Sequence, residues 1–121
     1  MQREMYPTPL PALRWVDKQT VQQWTSWRDA VLWCWQNRGS GNGNEQGDQI
    51  MFRMYAMKFF GEKAHAPHIS RWFNKDTDAP MDLPNRLAAA FESFTGWRGL
   101  SQWFNKTAQL TVLEELQARS A

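Results

Sequence analysis

The sequence predicts an all-α protein, a compact bundle of five or six helices that contains a helix-turn-helix. Three observations lead there. Apolar residues recur at helical spacing in one segment after another, and no stretch has a convincing period of two. Aspartates stand where helices would begin, and glycines where they would end. With 121 residues, 42% of them hydrophobic and 14% aromatic, the chain is long enough for one domain with a real core.

Pro7, Pro9 and Pro11 make residues 1–16 an extended, Pro-rich arm. Residues 17–121 then form a single helical domain. Asp17 is suited to N-cap a helix from Lys18 to Asn37, along which Val21, Trp24, Trp27 or Arg28, Val31 and Trp35 keep helical spacing. Trp33 and Leu32 widen its apolar face, as expected of a helix central in the domain or shared with a second subunit. The segment from Gly39 to Gly47 holds four glycines and two asparagines, which predicts a flexible surface loop. It lacks a P-loop lysine and hydroxyl pair, and no strand precedes it.

Asp48 is placed to cap the next helix, with Ile50, Met51, Met54, Met57 and Phe60 on or near its buried face and Gly61 at its end. A turn leads to Pro67, a first-turn residue of a new helix, so residues 48–75 have the order of a helix-turn-helix. After a turn over 76–80, Leu87, Ala88, Phe91 and Phe94 mark the apolar face of another helix, closed by Thr95-Gly96. Residues 97–119 form a C-terminal helical segment with a break expected near Lys106-Thr107, ending in the amphipathic run Leu110 to Leu116.

The net charge is +2, which permits nucleic-acid binding without the strongly basic footprint that would argue for it. A DNA-binding role therefore requires the basic side chains to gather on one face. The single cysteine, Cys34, excludes an internal disulfide and reads as core filler. No apolar run reaches the ~20 residues of a membrane span, and residues 1–6 carry no hydrophobic signal region. A cytoplasmic protein is expected, with no membrane partner. His65 and His68 find no further Cys or His to complete a tetrahedral site, so neither metal nor cofactor is expected. Without a triad, P-loop or metal motif, the chain is not expected to be an enzyme.

The segment from Ala66 to Lys75 is the most informative. Ile69, Trp72 and Phe73 fall on one side of a helix and call for a core, while His68, Arg71 and Lys75 fall on the other, flanked by Ser70 and Asn74. Arg can read guanine bidentately, Asn can do the same for adenine, and Lys can hold a phosphate. An echo of this segment, Leu100-Ser101-Gln102-Trp103-Phe104-Asn105-Lys106, repeats five of the seven residues from Ile69 to Lys75. Only the first copy carries the guanidinium of Arg71 and comes after a turn, which places the recognition helix at 67–75.

The stretch from Met51 to Trp103 resembles the helix-turn-helix regulators of bacteriophages and related mobile elements, the broad Cro, repressor and CII group. The resemblance rests on His68-Ile69-Ser70-Arg71-Trp72, similar to the core of their recognition helices, and on a subsequent helix ending in Thr95-Gly96-Trp97. It implies sequence-specific binding of operator DNA by a homodimer or higher homo-oligomer, with Ser70, Arg71 and Asn74 at or near the bases. The chain departs from the pattern in its turn. Where family members place an alanine and a glycine ahead of the buried aliphatic residue, this chain has Phe59 and Lys63, and Gly61 lies two residues too early.

The expected function is thus that of a DNA-binding transcriptional regulator of a phage or other mobile element. His68, Ser70, Arg71, Asn74, Lys75 and Lys63 form its DNA-binding set, and Lys58 and Lys106 are further phosphate contacts. Dimerisation would use the first or the last helix. The alternative is a small helical protein-binding module, an inhibitor or adaptor, that docks a protein partner through an exposed surface in its Trp-rich N-terminal third.

Overall fold

The computed structural model describes residues 13–120, with side chains throughout except at 110–115 and 120. The expected arm therefore lies outside the described residues up to position 12. The described chain is all-helical: α1 (Lys18–Gln23), α2 (Trp27–Gln36), α3 (Glu45–Phe60), α4 (Ala66–Phe73), a 3-10 turn (Asn85–Leu87), α5 (Ala88–Thr95) and α6 (Gly99–Ser120). Among the described residues there is no strand, and the one β-bridge joins Arg14 to Trp97.

The helix expected over 18–37 is two helices. Asp17 caps α1 as expected, its carboxylate accepting from the Thr20 N–H at 2.9 Å. Trp24 then turns extended, and Ser26 caps α2 by accepting from the Asp29 N–H. Asp29 reaches back to the Thr25 N–H at 2.9 Å, one residue before the N-cap, so the two side chains fix the new terminus from both directions in a variant of the capping box. The apolar spacing runs through this break, which is why periodicity hides it. Lys106 of α6 closes the end of α1, its ammonium donating to the carbonyls of Val21, Gln22 and Trp24 at 3.1–3.4 Å.

α3 also begins earlier than expected. Asn44, not Asp48, is its N-cap, and Asp48 is turned inward and fully buried. Its carboxylate accepts from the N–H groups of Asn42 and Gly43 and pairs with Arg38 at 2.7 Å, so the glycine-rich loop is held by a buried acid rather than left loose. Gly41 is required there. Its φ is +87°, and a Cβ at this position would lie 2.3–2.5 Å from the Asp48 carboxylate. Turning Asp48 inward rotates the rest of the helix with it. Phe52, Tyr55 and Ala56 enter the core, whereas Ile50, Met54 and Met57, expected to be buried, are exposed.

Trp35 of α2 stands at the centre of the core. It stacks on Phe73 of α4 with centroids 4.1 Å apart, and Phe52 meets Phe73, Phe91 and Phe94 edge-on. α2 accordingly packs on α4, α5 and α6, the central position that its wide apolar face predicts. Gly99 lets the start of α6 approach α2, since a Cβ there would meet the Cys34 Sγ at 2.4 Å. α6 runs unbroken through Lys106-Thr107, and the Thr107 hydroxyl bonds back to the Trp103 and Phe104 carbonyls.

The tryptophans are structural. Trp24, Trp35 and Trp72 are buried, Trp27, Trp33, Trp97 and Trp103 are half-buried, and only Trp15 is largely exposed, at 65%. Of the tryptophans over 15–35, Trp15 is therefore the one largely exposed, and Trp27 and Trp33 are partly so. No helix among the described residues is long and apolar enough to cross a membrane.

Candidate nucleic-acid interface

α3 ends where the chain predicts, at Gly61 in the left-handed conformation (φ +65°), with its N–H on the Met57 carbonyl at 3.1 Å. Residues 61–65 connect α3 to α4. Ala64 is buried beneath this connection, and Arg86 of the 3-10 turn staples it from outside, donating to the Lys63 carbonyl and pairing with the Glu62 carboxylate at 3.3 Å. Pro67 occupies the first turn of α4, where its missing N–H costs nothing. Gly61 thus belongs to the end of α3, and α4 begins five residues later.

α4 buries Ile69, Trp72 and Phe73 and leaves Pro67, Ser70 and Arg71 exposed on the opposite side. Its far end is clamped by Arg28 of α2. The guanidinium donates to the carbonyls of Arg71 (2.9 Å), Asn74 (2.9 Å) and Met81 (3.1 Å), so a cation sits at the carbonyl end of the helix and satisfies its orphan acceptors. The Met81 N–H also reaches the Arg71 carbonyl at 3.2 Å, which ties the next loop to the same point. The short helix is therefore fixed at its entrance by Arg86, at its exit by Arg28, and along its back by three large apolar side chains.

The predicted site residues separate into groups. Ser70 and Arg71 lie on the exposed face of α4. His68 is half-buried, its ring edge-on to His65 at 4.5 Å and to Trp72 at 6.4 Å. Lys63 is exposed in the α3–α4 connection. Asn74 and Lys75, expected within the helix, lie beyond it. Asn74 is the C-cap, with extended backbone, and its side-chain oxygen accepts from the Asp76 N–H at 3.0 Å. That oxygen is already engaged in a turn, the reason a helical read-through to Lys75 fails. Lys106, expected on phosphate, instead serves the carbonyls at the end of α1. Its counterpart segment at 100–106 lies within α6, so the sequence echo does not create a second exposed helix of the same kind.

Among the described residues, the three salt bridges join Arg38 to Glu45, Arg38 to Asp48 and Arg86 to Glu62. None involves Arg71, Lys63 or Lys75, so no carboxylate within the described structure neutralises these cations. Arg28 and Arg86 were missed by sequence reasoning as positioning residues. The only signal for Arg28 is a cationic side chain at an apolar-spaced position of a core helix.

No group of three or more His, Cys, Asp or Glu among the described residues could hold a metal ion. Cys34 is fully buried, and desolvation, aided by the charge of Glu92, pushes its thiol up to about 12. No family model matches the chain, and neither a curated protein nor a solved structure matches it. The resemblance to phage helix-turn-helix regulators therefore rests on the residues from His68 to Trp72 and from Thr95 to Trp97.

Proposed function

We propose that this protein is a sequence-specific double-stranded-DNA-binding regulator of the phage or mobile-element kind, with α4 laid in the major groove. One observation carries the reading. An eight-residue helix is held rigidly on three sides, and its open side presents Ser70 and Arg71 with no carboxylate paired to the guanidinium. Rigid presentation matters because base readout depends on placing a fork of donors accurately against O6 and N7 of guanine. Arg71 reads the base, Ser70 supplies a second polar contact, and Lys63 and Lys75 hold phosphates on either side of the helix. Two copies would present two such helices to half-sites about one turn of DNA apart. The first or the last helix, α1 or α6, would pair the copies.

The test is a titration of duplexes from the upstream region of the protein's own gene against random duplexes at several salt concentrations. Tight, salt-dependent binding with preference for the native region is expected. Arg71→Ala should lose that preference, a cost of about 1–3 kcal/mol on the cognate duplex alone. Lys63→Ala should weaken every duplex and reduce the salt slope by about one. Equal loss on cognate and random DNA after removing Arg71 would overturn the base-reading role.

A further inference from the structure

The face of α3 turned away from the core carries Ile50, Met54 and Met57 at i, i+4 and i+7. They are 59%, 57% and 51% exposed, so the described part of the fold leaves them largely uncovered. Together with Ala64 they line a groove of about 710 Å³. The remaining lining residues are Arg53, Lys58 and Lys63, and among the described residues no carboxylate lines it. A contiguous apolar stripe with a rim of a single charge is the composition of a docking site rather than of an ordinary solvated helix face.

We propose that this groove docks an amphipathic helix of a partner protein, with aliphatic side chains along its inner edge and Asp or Glu along its flanks. The stripe dictates the shape of the ligand. Three apolar anchors spread over two turns of one helix match the apolar edge of another helix at i, i+3 or i+4, and i+7. Methionine suits the inner surface because its unbranched thioether repacks around anchors of different shape. The rim dictates the charge: cations on the edges of the groove select carboxylates and repel a basic segment. Nucleic acid would satisfy the rim but would leave the apolar stripe in water. A second copy meeting the same face about a two-fold axis would oppose cation to cation.

This inference is independent of the DNA reading. Lys58 and Lys63 belong to both surfaces, so the test uses Arg53 and Met54, to which the DNA reading assigns no role. The probes are fluorescein-labelled 16-residue helical peptides with leucine at i, i+4 and i+7 in several registers and glutamate on the flanks, each paired with a version carrying lysine in place of glutamate. Fluorescence anisotropy with the full-length protein should show saturable binding of at least one glutamate peptide, weakened by salt, and roughly tenfold or more weaker binding of its lysine counterpart. Met54→Asp and Arg53→Glu should each weaken the glutamate peptide by roughly tenfold or more, for the loss of an anchor and of a rim charge respectively. Both positions are exposed, so the thermal melts of the two variants should match that of the parent, and DNA binding reports separately on α4. Failure of every glutamate peptide to bind more tightly than its lysine counterpart would overturn the proposal. So would self-association in sedimentation that Met54→Asp abolishes, which would make the occupant a second copy.

Discussion

Arg28→Met tests whether α4 is held by its clamp or merely by its apolar back. Methionine keeps most of the stem that packs on α2 and removes the three donors that reach the Arg71, Asn74 and Met81 carbonyls at 2.9–3.1 Å. A net hydrogen bond from a charged donor is worth about 1.5–3 kcal/mol where water is excluded, and that full range applies only to the part-buried Met81 carbonyl. The bonds to Arg71 and Asn74 are exposed, and water replaces them at roughly 0.5 kcal/mol each. With the lower end of that range for the Met81 bond, the sum is about 2.5 kcal/mol, which urea denaturation should show as a lower midpoint at unchanged slope. For a domain of this size the melting temperature should fall by about 10 °C. Hydrogen exchange should localise the loss, with the Asn74 and Met81 amides, bonded to the Ser70 and Arg71 carbonyls, exchanging sooner than the core of α3. A stability change within about 0.5 kcal/mol, together with unchanged protection of those two amides, would refute the clamp.

The buried groups yield three further outcomes. Asp48→Asn keeps the shape but breaks the pair with Arg38 and removes one acceptor from the glycine loop, which should cost about 3 kcal/mol in urea denaturation; a loss below about 1 kcal/mol would mean that the loop does not depend on the charge. Gly99→Ala drives a Cβ against the Cys34 sulfur and should destabilise by about 1–3 kcal/mol. Adding Cys34→Ala should recover part of that loss, and strict additivity of the two changes would show that the close approach is not the cause. The Cys34 thiol, raised by burial from an ordinary 9.0 to about 12, should resist a thiol reagent at pH 8, where roughly one molecule in ten thousand is thiolate, until denaturant is added. Because the folded state holds this proton longer than the unfolded state, the thiol's contribution to stability is complete below pH 9.0 and is lost as pH rises toward about 12. Cys34→Ala should remove that component of the alkaline loss, and identical alkaline titrations of the two proteins would contradict it.

Legibility in the chain varies by element. α4 is the most readable: Ile69, Trp72 and Phe73 are so strongly segregated from Ser70 and Arg71 that its buried face can be assigned without a partner in view. Its last residues are less so, because the side chain of Asn74 competes for the backbone and ends the helix at Phe73, two residues short of the expected end at Lys75. The outer face of α3 reads as core for a comparable reason. Ile50, Met54 and Met57 alternate around the helix with Phe52, Tyr55 and Ala56, so the pattern alone does not choose between two apolar faces.

By itself the sequence determined the all-helical class, the helix ends at Gly61 and Gly96, the place of Pro67 in the first turn of α4 and the exposed pair Ser70 and Arg71. These are local properties, set by backbone conformations and by periodicity within a few turns. The tertiary structure alone decided the rotation of α3, fixed by the buried pairing of Asp48 with Arg38. It also decided the use of Lys106 on carbonyls 82–85 residues away in the chain, and the clamp of Arg28 on a helix end 43–46 residues away. A charged side chain goes to whichever acceptors folding brings within about 3 Å, and chain separation says nothing about which those are.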